Sequence, residues 1–157
     1  MNNEFEALLP ILKSAACEAL CSVLGVDFVP EEPWKIEHPV ENPCDIGATV
    51  GFANEECRGA CTLGISTEAA SQLFPNLSED LVFDAVGELG NTICGILFGD
   101  PAFAFSHGIP TQTSPLFSRG GSWFVRSVGM QGTLHSDRGD ILLGFMISST
   151  DRLRSRR

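Results

Sequence analysis

The pattern of hydrophobic and polar positions is clearest over residues 79–98, where it follows the period of an α-helix. A helix advances roughly 100° per residue, so positions three and four apart share a face. One face of this segment is apolar or small: Ala85, Leu89, Thr92, Ile93 and Ile96. The opposite side carries a narrow polar face: Asp84, Glu88, Asn91 and Gly95. The pattern therefore predicts a helix with one buried side and one accessible side.

Three glycines, Gly87, Gly90 and Gly95, lie within this predicted helix. Each costs a helix roughly 1 kcal/mol relative to alanine, which indicates that another body approaches closely. Gly90 lies on the apolar side and suits close packing. Gly87 and Gly95 are expected to leave the surface flat around Glu88 and Asn91, so that a partner can reach both side chains. The alternative is an ordinary solvated helix face, on which a Glu and an Asn three residues apart are common.

Two further helices are predicted from the same periodicity, over residues 4–24 and over residues 67–74. The first is expected to end at Gly25. Pro10 leaves two possibilities open for its beginning. Either the helix kinks at Pro10, or it begins at Leu9 with Pro10 in its first turn.

Two β-hairpins are predicted, one with arms at residues 45–53 and 57–66, the other with arms at 122–135 and 141–149. Small residues crowd both arms of the first hairpin, which indicates that another element packs closely on it. The helix of residues 79–98 is the natural candidate.

The remaining segments are less regular. Residues 26–29 and 34–37 are expected to be short edge strands, because the neighbouring prolines exclude a central strand. Residues 103–106 and 109–113 are interpreted as a strand broken by a turn, or as an extended loop. The order of elements predicts an α/β (α+β) sandwich, in which long helices back a mainly antiparallel or mixed sheet.

The 157-residue chain is long enough for one domain, assigned to residues 1–150, and residues 151–157 form a basic tail expected to be disordered. The net charge of −10 argues against nucleic acid or an anionic membrane surface as a partner. No uninterrupted apolar run reaches the length of a membrane span, and the polar N-terminus does not read as a signal peptide. The protein is therefore expected to be cytoplasmic.

The sequence contains few features that would indicate a metal site, a redox centre or a nucleotide-binding site. The six cysteines are expected to be thiols in a reducing compartment, and their spacing matches no zinc site. His107 and His135 lack a carboxylate at a meaningful spacing, so neither is predicted to be a general base. No phosphate-binding glycine loop or dinucleotide fingerprint is present. No metal ligand is assigned, and a cysteine metal or redox protein is the weakest interpretation.

The sequence Asp84-x-x-Gly87-Glu88-Leu89-x-Asn91-x-x-x-Gly95 resembles the active-site helix of the CheC/CheX/FliY chemotaxis phosphatases. Their signature is Glu-x-x-Asn on one helix, with a glycine four residues on. The chain carries one copy, whereas CheC-type chains usually carry two, so the closer resemblance is to CheX. The order of elements over roughly residues 4–149 also follows the family.

The resemblance implies a protein phosphatase that hydrolyses the aspartyl phosphate of a CheY-type response regulator. It assigns Asn91 to the attacking water and Glu88 to a lysine of the receiver, with Asp84, Gly87 and Gly95 at the binding surface. It implies no cofactor of the chain's own, since the receiver holds its own Mg²⁺. It also implies a homodimer formed through the strands of residues 122–149.

A second interpretation is a binding module that docks a receiver or a flagellar switch protein without hydrolysis. Both interpretations predict a complex, and only the first predicts turnover. The presence of the amide of Asn91 beside Glu88 favours the first, because a pure docking module has no need of it.

Overall fold

The computed structural model describes residues 3–119 and 123–149 of the chain. Its helices are α1 (Asn3–Leu24), α2 (Thr67–Leu73), α3 (Glu79–Phe98) and α4 (Pro101–His107). Its strands are β1 (Val29–Pro30), β2 (Lys35–Asn42), β3 (Ile46–Ala53), β4 (Cys57–Ile65), β5 (Thr111–Gln112), β6 (Leu116–Arg119), β7 (Trp123–His135) and β8 (Ile141–Ser149).

The strands form one sheet in which every pairing is antiparallel. The order is β1-β7-β8-β4-β3-β5, with β2 on β7 and β6 on β3. Both predicted hairpins are present, since β3 pairs with β4 and β7 pairs with β8. The expected fold class, an α/β sandwich of a mainly antiparallel sheet backed by long helices, is confirmed.

The hydrophobic core lies between the two long helices and the sheet. α1 packs against α3, and α3 in turn packs against β3 and β4. Fully buried side chains come from every layer: Leu12 and Leu20 of α1, Leu89 and Ile93 of α3, Leu63 of β4 and Phe145 of β8. Burial of each such side chain contributes roughly 1.5–3 kcal/mol, so the apolar side of α3 is firmly fixed on the sheet.

Proline behaves differently from expectation in two elements. α1 begins at Asn3 and has Pro10 inside it, so the alternative start at Leu9 is wrong. β2 continues through Pro39 to Asn42, beyond the predicted residues 34–37. Proline is tolerated there because β2 pairs with β7 through irregular registers on both sides of the Pro39 pair, where a missing N–H matters least.

Both interpretations of residues 103–106, a strand or an extended loop, are wrong, because these residues lie in α4. The carboxylate of Asp100 caps this helix, accepting hydrogen bonds from the backbone N–H groups of Ala102 and Phe103 at 2.9 and 3.3 Å. A proline follows at the first helical position, where its fixed φ suits a helix start. Gly108 ends the helix at a φ of 71°.

The extended interpretation of residues 109–113 is met in part by the short strand β5. β6 was not predicted, and both strands pair with the outer edge of β3. The edge is therefore covered by residues 111–119, named here the edge segment. The predicted basic tail of residues 151–157 lies outside the described residues.

Within the described residues, two helices are long and apolar enough by composition to cross a membrane, over Glu4–Leu24 and Glu79–Phe98. Neither helix is an uninterrupted apolar run, because charged residues lie within both. More than half of the second span, 56 %, is buried inside the domain. Its apolar character is accounted for by its place as the central core helix.

Candidate functional site

The polar face of α3 lies on the accessible side of the helix. Asp84, Glu88 and Gly95 are exposed, and the side chain of Asn91 is half-buried. The opposite side is closed, with Leu89 at 1 % and Ile93 at 0 % exposure. Glu88 and Asn91 are thus displayed on the same side of one helix, as the period of the sequence predicts.

Gly90 determines how closely α3 approaches the sheet. A Cβ at this position would lie 3.0 Å from Cγ2 of Val50 on β3 and 3.7 Å from Cδ1 of Leu63 on β4. The expected close packing at Gly90 is therefore present. Gly90 thus lies on the side of α3 that faces the sheet, whereas Glu88 and Asn91 lie on its accessible side.

The two glycines beside the polar face have different surroundings. Gly95 is exposed as expected, and a Cβ there would meet only Nε2 of Gln112, at 3.9 Å. Gly87 is buried, and a Cβ there would lie 2.9 Å from Cε1 of Phe117 and 3.1 Å from Cβ of Pro115. The expected flat, open surface at Gly87 is wrong, because the edge segment covers that position.

The edge segment is attached to both the sheet and α3. The backbone N–H of Thr113 donates to the carbonyl of Gly51 at 2.8 Å, and the N–H of Gly51 donates to Oγ1 of Thr113 at 3.1 Å. At the other end, Nη1 of Arg119 lies 2.8 Å from Oε1 of Glu79. These contacts make the segment a wall beside the polar face of α3.

Gln112 of the edge segment reaches the candidate site and was missed in the sequence. With its carboxamide oriented so that both ends find partners, its nitrogen donates to Oδ1 and to the backbone oxygen of Asn91, each at 3.2 Å. Its oxygen accepts from the backbone N–H of Gly95 at 3.3 Å. No signal in the sequence could place a residue 21 positions downstream of Asn91 on its side chain, since the contact depends on pairing of β5 with β3.

The charge on this surface is mainly negative. Arg119 offsets Glu79, and its guanidinium also lies 5.2 Å from the ring centre of Phe83. Within the described residues, Asp84 and Glu88 form no ion pair. The carboxylate of Glu88 is therefore available to a cation that a partner supplies.

A cluster of potential metal ligands lies away from the candidate site. In the described part of the chain it consists of Glu31, His135 and Asp140, whose ligand atoms lie within 4.8 Å of one another. They lie at the β1–β7 side of the sheet, opposite the edge covered by β5. A 2.6 Å hydrogen bond between Nδ1 of His135 and Oδ1 of Asp140 raises the pKa of this histidine. His135 therefore has a carboxylate partner after all, which the spacing did not indicate.

The cysteines are free thiols, as expected. Cys57, Cys61 and Cys94 are buried. Burial, together with the nearby carboxylates of Glu56 and Glu4, raises the pKa of Cys57 to about 11, so its thiol stays protonated at neutral pH. These residues act as small core side chains.

Comparison with known proteins finds no matching family model and no match among curated proteins. Solved structures do match. CheX from Vibrio vulnificus has a TM-score of 0.71 at 16 % identity, over 90 % of this chain and 99 % of that one. A chain of the CheX–CheY–BeF₃–Mg²⁺ complex from Borrelia burgdorferi has a TM-score of 0.59 at 18 % identity, over 88 % and 96 %.

The FliM middle domain from Helicobacter pylori is also similar, with a TM-score of 0.58 at 10 % identity, over 90 % of this chain and 88 % of that one. At these identities the similarity describes the fold. The similarity in fold therefore extends over nearly the whole of each chain. The roles of individual residues are argued from the geometry of α3.

Proposed function

We propose that this chain, which has the fold of CheX and CheC-like chemotaxis proteins, hydrolyses the aspartyl phosphate of a CheY-type receiver domain. The observation that carries the proposal is the joint display of Glu88 and Asn91 on the accessible side of α3. A carboxylate and an amide one helical turn apart can address two different groups of a phosphorylated pocket.

Asn91 is proposed to hold the attacking water. Phosphoryl transfer needs little covalent chemistry from a protein and depends mainly on positioning and on stabilisation of charge. A carboxamide suits this role because its oxygen accepts a hydrogen bond from water and its nitrogen donates to a phosphoryl oxygen. The half-buried setting of Asn91 restricts its motion while leaving the side chain within reach of a partner.

Glu88 is proposed to pair with a lysine of the receiver. A carboxylate beside a phosphoryl group would otherwise repel it, so the charge of Glu88 needs a cation from the partner. Within the described residues it has none from its own chain. The exposed Asp84 and Gly95 would extend the contact along the same side of the helix, whereas the buried Gly87 would act through the wall that covers it.

The chain is proposed to need no metal of its own, because a receiver supplies the Mg²⁺ that holds its phosphoryl group. The Borrelia complex described above contains CheX, CheY, BeF₃ and Mg²⁺ together, which supports a receiver as the partner of this fold. We also propose that the protein works in the cytoplasm, where such receivers are found, and that it forms a homodimer through β7 and β8.

The second candidate function is docking to a receiver or a flagellar switch protein without hydrolysis. The structural similarity to the FliM middle domain supports this second candidate. The two functions differ in the chemistry of Asn91, which is essential for hydrolysis and dispensable for docking.

The test is the decay of phosphate on purified receivers from the same genome, measured with and without this protein. We expect the decay of at least one receiver to accelerate in a way that saturates with receiver concentration. Binding to a phosphorylated receiver with no change in its decay would favour the docking function and contradict hydrolysis.

A further inference from the structure

Gln112 of β5 makes a polar contact with the side chain of Asn91 in the candidate site. With its carboxamide assigned the orientation that gives both ends a partner, Gln112 donates to Oδ1 of Asn91 at 3.2 Å and bridges the backbone of Asn91 and Gly95. We propose that Gln112 is a positioning residue, which fixes the orientation of the Asn91 carboxamide for the reaction. This inference rests on the proposed phosphatase function and adds a residue to it.

The orientation of Asn91 matters because its two polar atoms have opposite roles. The last torsion of an asparagine side chain is broad and roughly two-fold, so an unrestrained carboxamide can present either its oxygen or its nitrogen. The NH₂ group of Gln112 selects the orientation of the Asn91 carboxamide in which Oδ1 faces β5. Nδ2 of Asn91 then points away from Gln112. Oδ1 accepts two hydrogen bonds, so one remains for a water after Gln112 has taken the first.

Gln112 is itself held in place by the edge of the sheet. Its backbone pairs with Phe52 on β3. The next residue, Thr113, is bound to Gly51 through both its backbone N–H and its hydroxyl. The carboxamide of Gln112 is also fixed at both ends, because its oxygen accepts from the N–H of Gly95. A rigid strand therefore orients the flexible amide of Asn91.

Two substitutions separate positioning from a merely structural role. Gln112→Ala removes the donor, and we expect kcat for receiver dephosphorylation to fall about 3- to 10-fold, the scale of one neutral hydrogen bond, with KM little changed. Gln112→Glu presents only acceptors, which would draw Nδ2 of Asn91 toward β5 and invert its carboxamide. We expect this variant to lose more kcat than Gln112→Ala. Thr111→Ala, an exposed change on the same short strand, is the matched control.

The amide resonances of Asn91 provide a readout that needs no turnover. The NH₂ pair of Asn91 is assigned by its loss in Asn91→Ala. We expect it to shift in Gln112→Ala, to shift differently in Gln112→Glu, and to keep its position in Thr111→Ala. Thermal melting of each variant establishes that it is folded.

A double substitution tests whether Gln112 acts through Asn91. In an Asn91→Ala background, we expect Gln112→Ala to change kcat by less than about 2-fold, because the group it orients is gone. An active wild type with an equally active Gln112→Ala variant would overturn the positioning role alone, as would an unshifted Asn91 NH₂ pair. An inactive wild type would overturn the phosphatase function itself, so the two failures are distinguishable.

Discussion

Gly90 of α3 and Val50 of β3 meet so closely that a methyl group on Gly90 would lie 3.0 Å from Cγ2 of Val50. Val50 is fully buried and has little room to move. This contact lies on the side of α3 that faces the sheet, and Glu88 and Asn91 lie on the accessible side of the same helix. The glycine costs helix stability, and the close packing explains why it is tolerated.

The same substitution should have opposite effects at two glycines of α3. Gly90→Ala should lower the free energy of unfolding by about 1 kcal/mol, since overpacking costs about 1–3 kcal/mol and exceeds the gain in helix propensity. Gly95→Ala should raise it by about 0.5–1 kcal/mol, because its methyl would meet only Gln112, at 3.9 Å.

Urea unfolding of both variants measures this difference through the midpoint at constant slope. The substitutions are identical and lie in one helix, so each serves as the control for the other. A Gly90→Ala variant as stable as Gly95→Ala would show that α3 does not approach the sheet as closely as described.

Loss of the Glu88 carboxylate should weaken docking. Glu88→Ala should lower kcat/KM for the phosphorylated receiver about 10- to 100-fold, the scale of a charge-assisted hydrogen bond at an interface, and reduce its salt dependence. Stopped-flow or steady-state dephosphorylation at several salt concentrations measures both effects.

Glu18→Ala removes an equal charge from an exposed position on α1 and is the matched control. It should alter kcat/KM only slightly, through long-range attraction. Equal losses in Glu88→Ala and Glu18→Ala would mean that net charge, rather than a specific pair, governs docking.

His135 should contribute stability at low pH. Its hydrogen bond to Asp140, with further attraction from Asp140, Glu31 and Asp137, raises its pKa above the ordinary value of 6.5. Because the pKa is raised in the folded state, the stabilisation is fully present below about pH 6.5 and is lost as the pH rises through the folded value. Nuclear magnetic resonance titration of the imidazole measures that value directly.

Asp140→Asn removes the main cause and should return the pKa of His135 toward the ordinary value. If the His135 titration were the same in Asp140→Asn and the wild type, the electrostatic account of this pair would fail.

The central helix could be predicted from the sequence because its period of apolar residues reflects burial against the sheet. The shared accessible face of Glu88 and Asn91 followed from that period, whereas their proposed roles came from the resemblance to the chemotaxis phosphatases. α4 was missed because Phe103 and Phe105 suggested a strand, while the helix start encoded by Asp100 and the following proline was overlooked.

The surroundings of Gly87 and Asn91 could not be predicted, since both depend on where the edge segment lies. Pairing of β5 and β6 with β3 brings Phe117 onto Gly87 and Gln112 onto Asn91. β5 and β6 are too short, at two and four residues, to be distinguished from a loop by periodicity. The local pattern therefore predicted the central helix α3 and its polar face but not the edge segment beside it.

Removal of the Asn91 amide tests the central claim most directly. The measurement is the decay of receiver phosphate with wild-type protein and with Asn91→Ala, together with the affinity of each for the BeF₃-activated receiver. We predict that the affinity of Asn91→Ala for the receiver stays within a few-fold of the wild-type affinity. Its acceleration of phosphate decay should be lower than that of the wild type by roughly 10²-fold or more, the scale for one positioned transition-state contact. A variant that binds and accelerates decay as the wild type does would contradict the assignment of Asn91 to the attacking water.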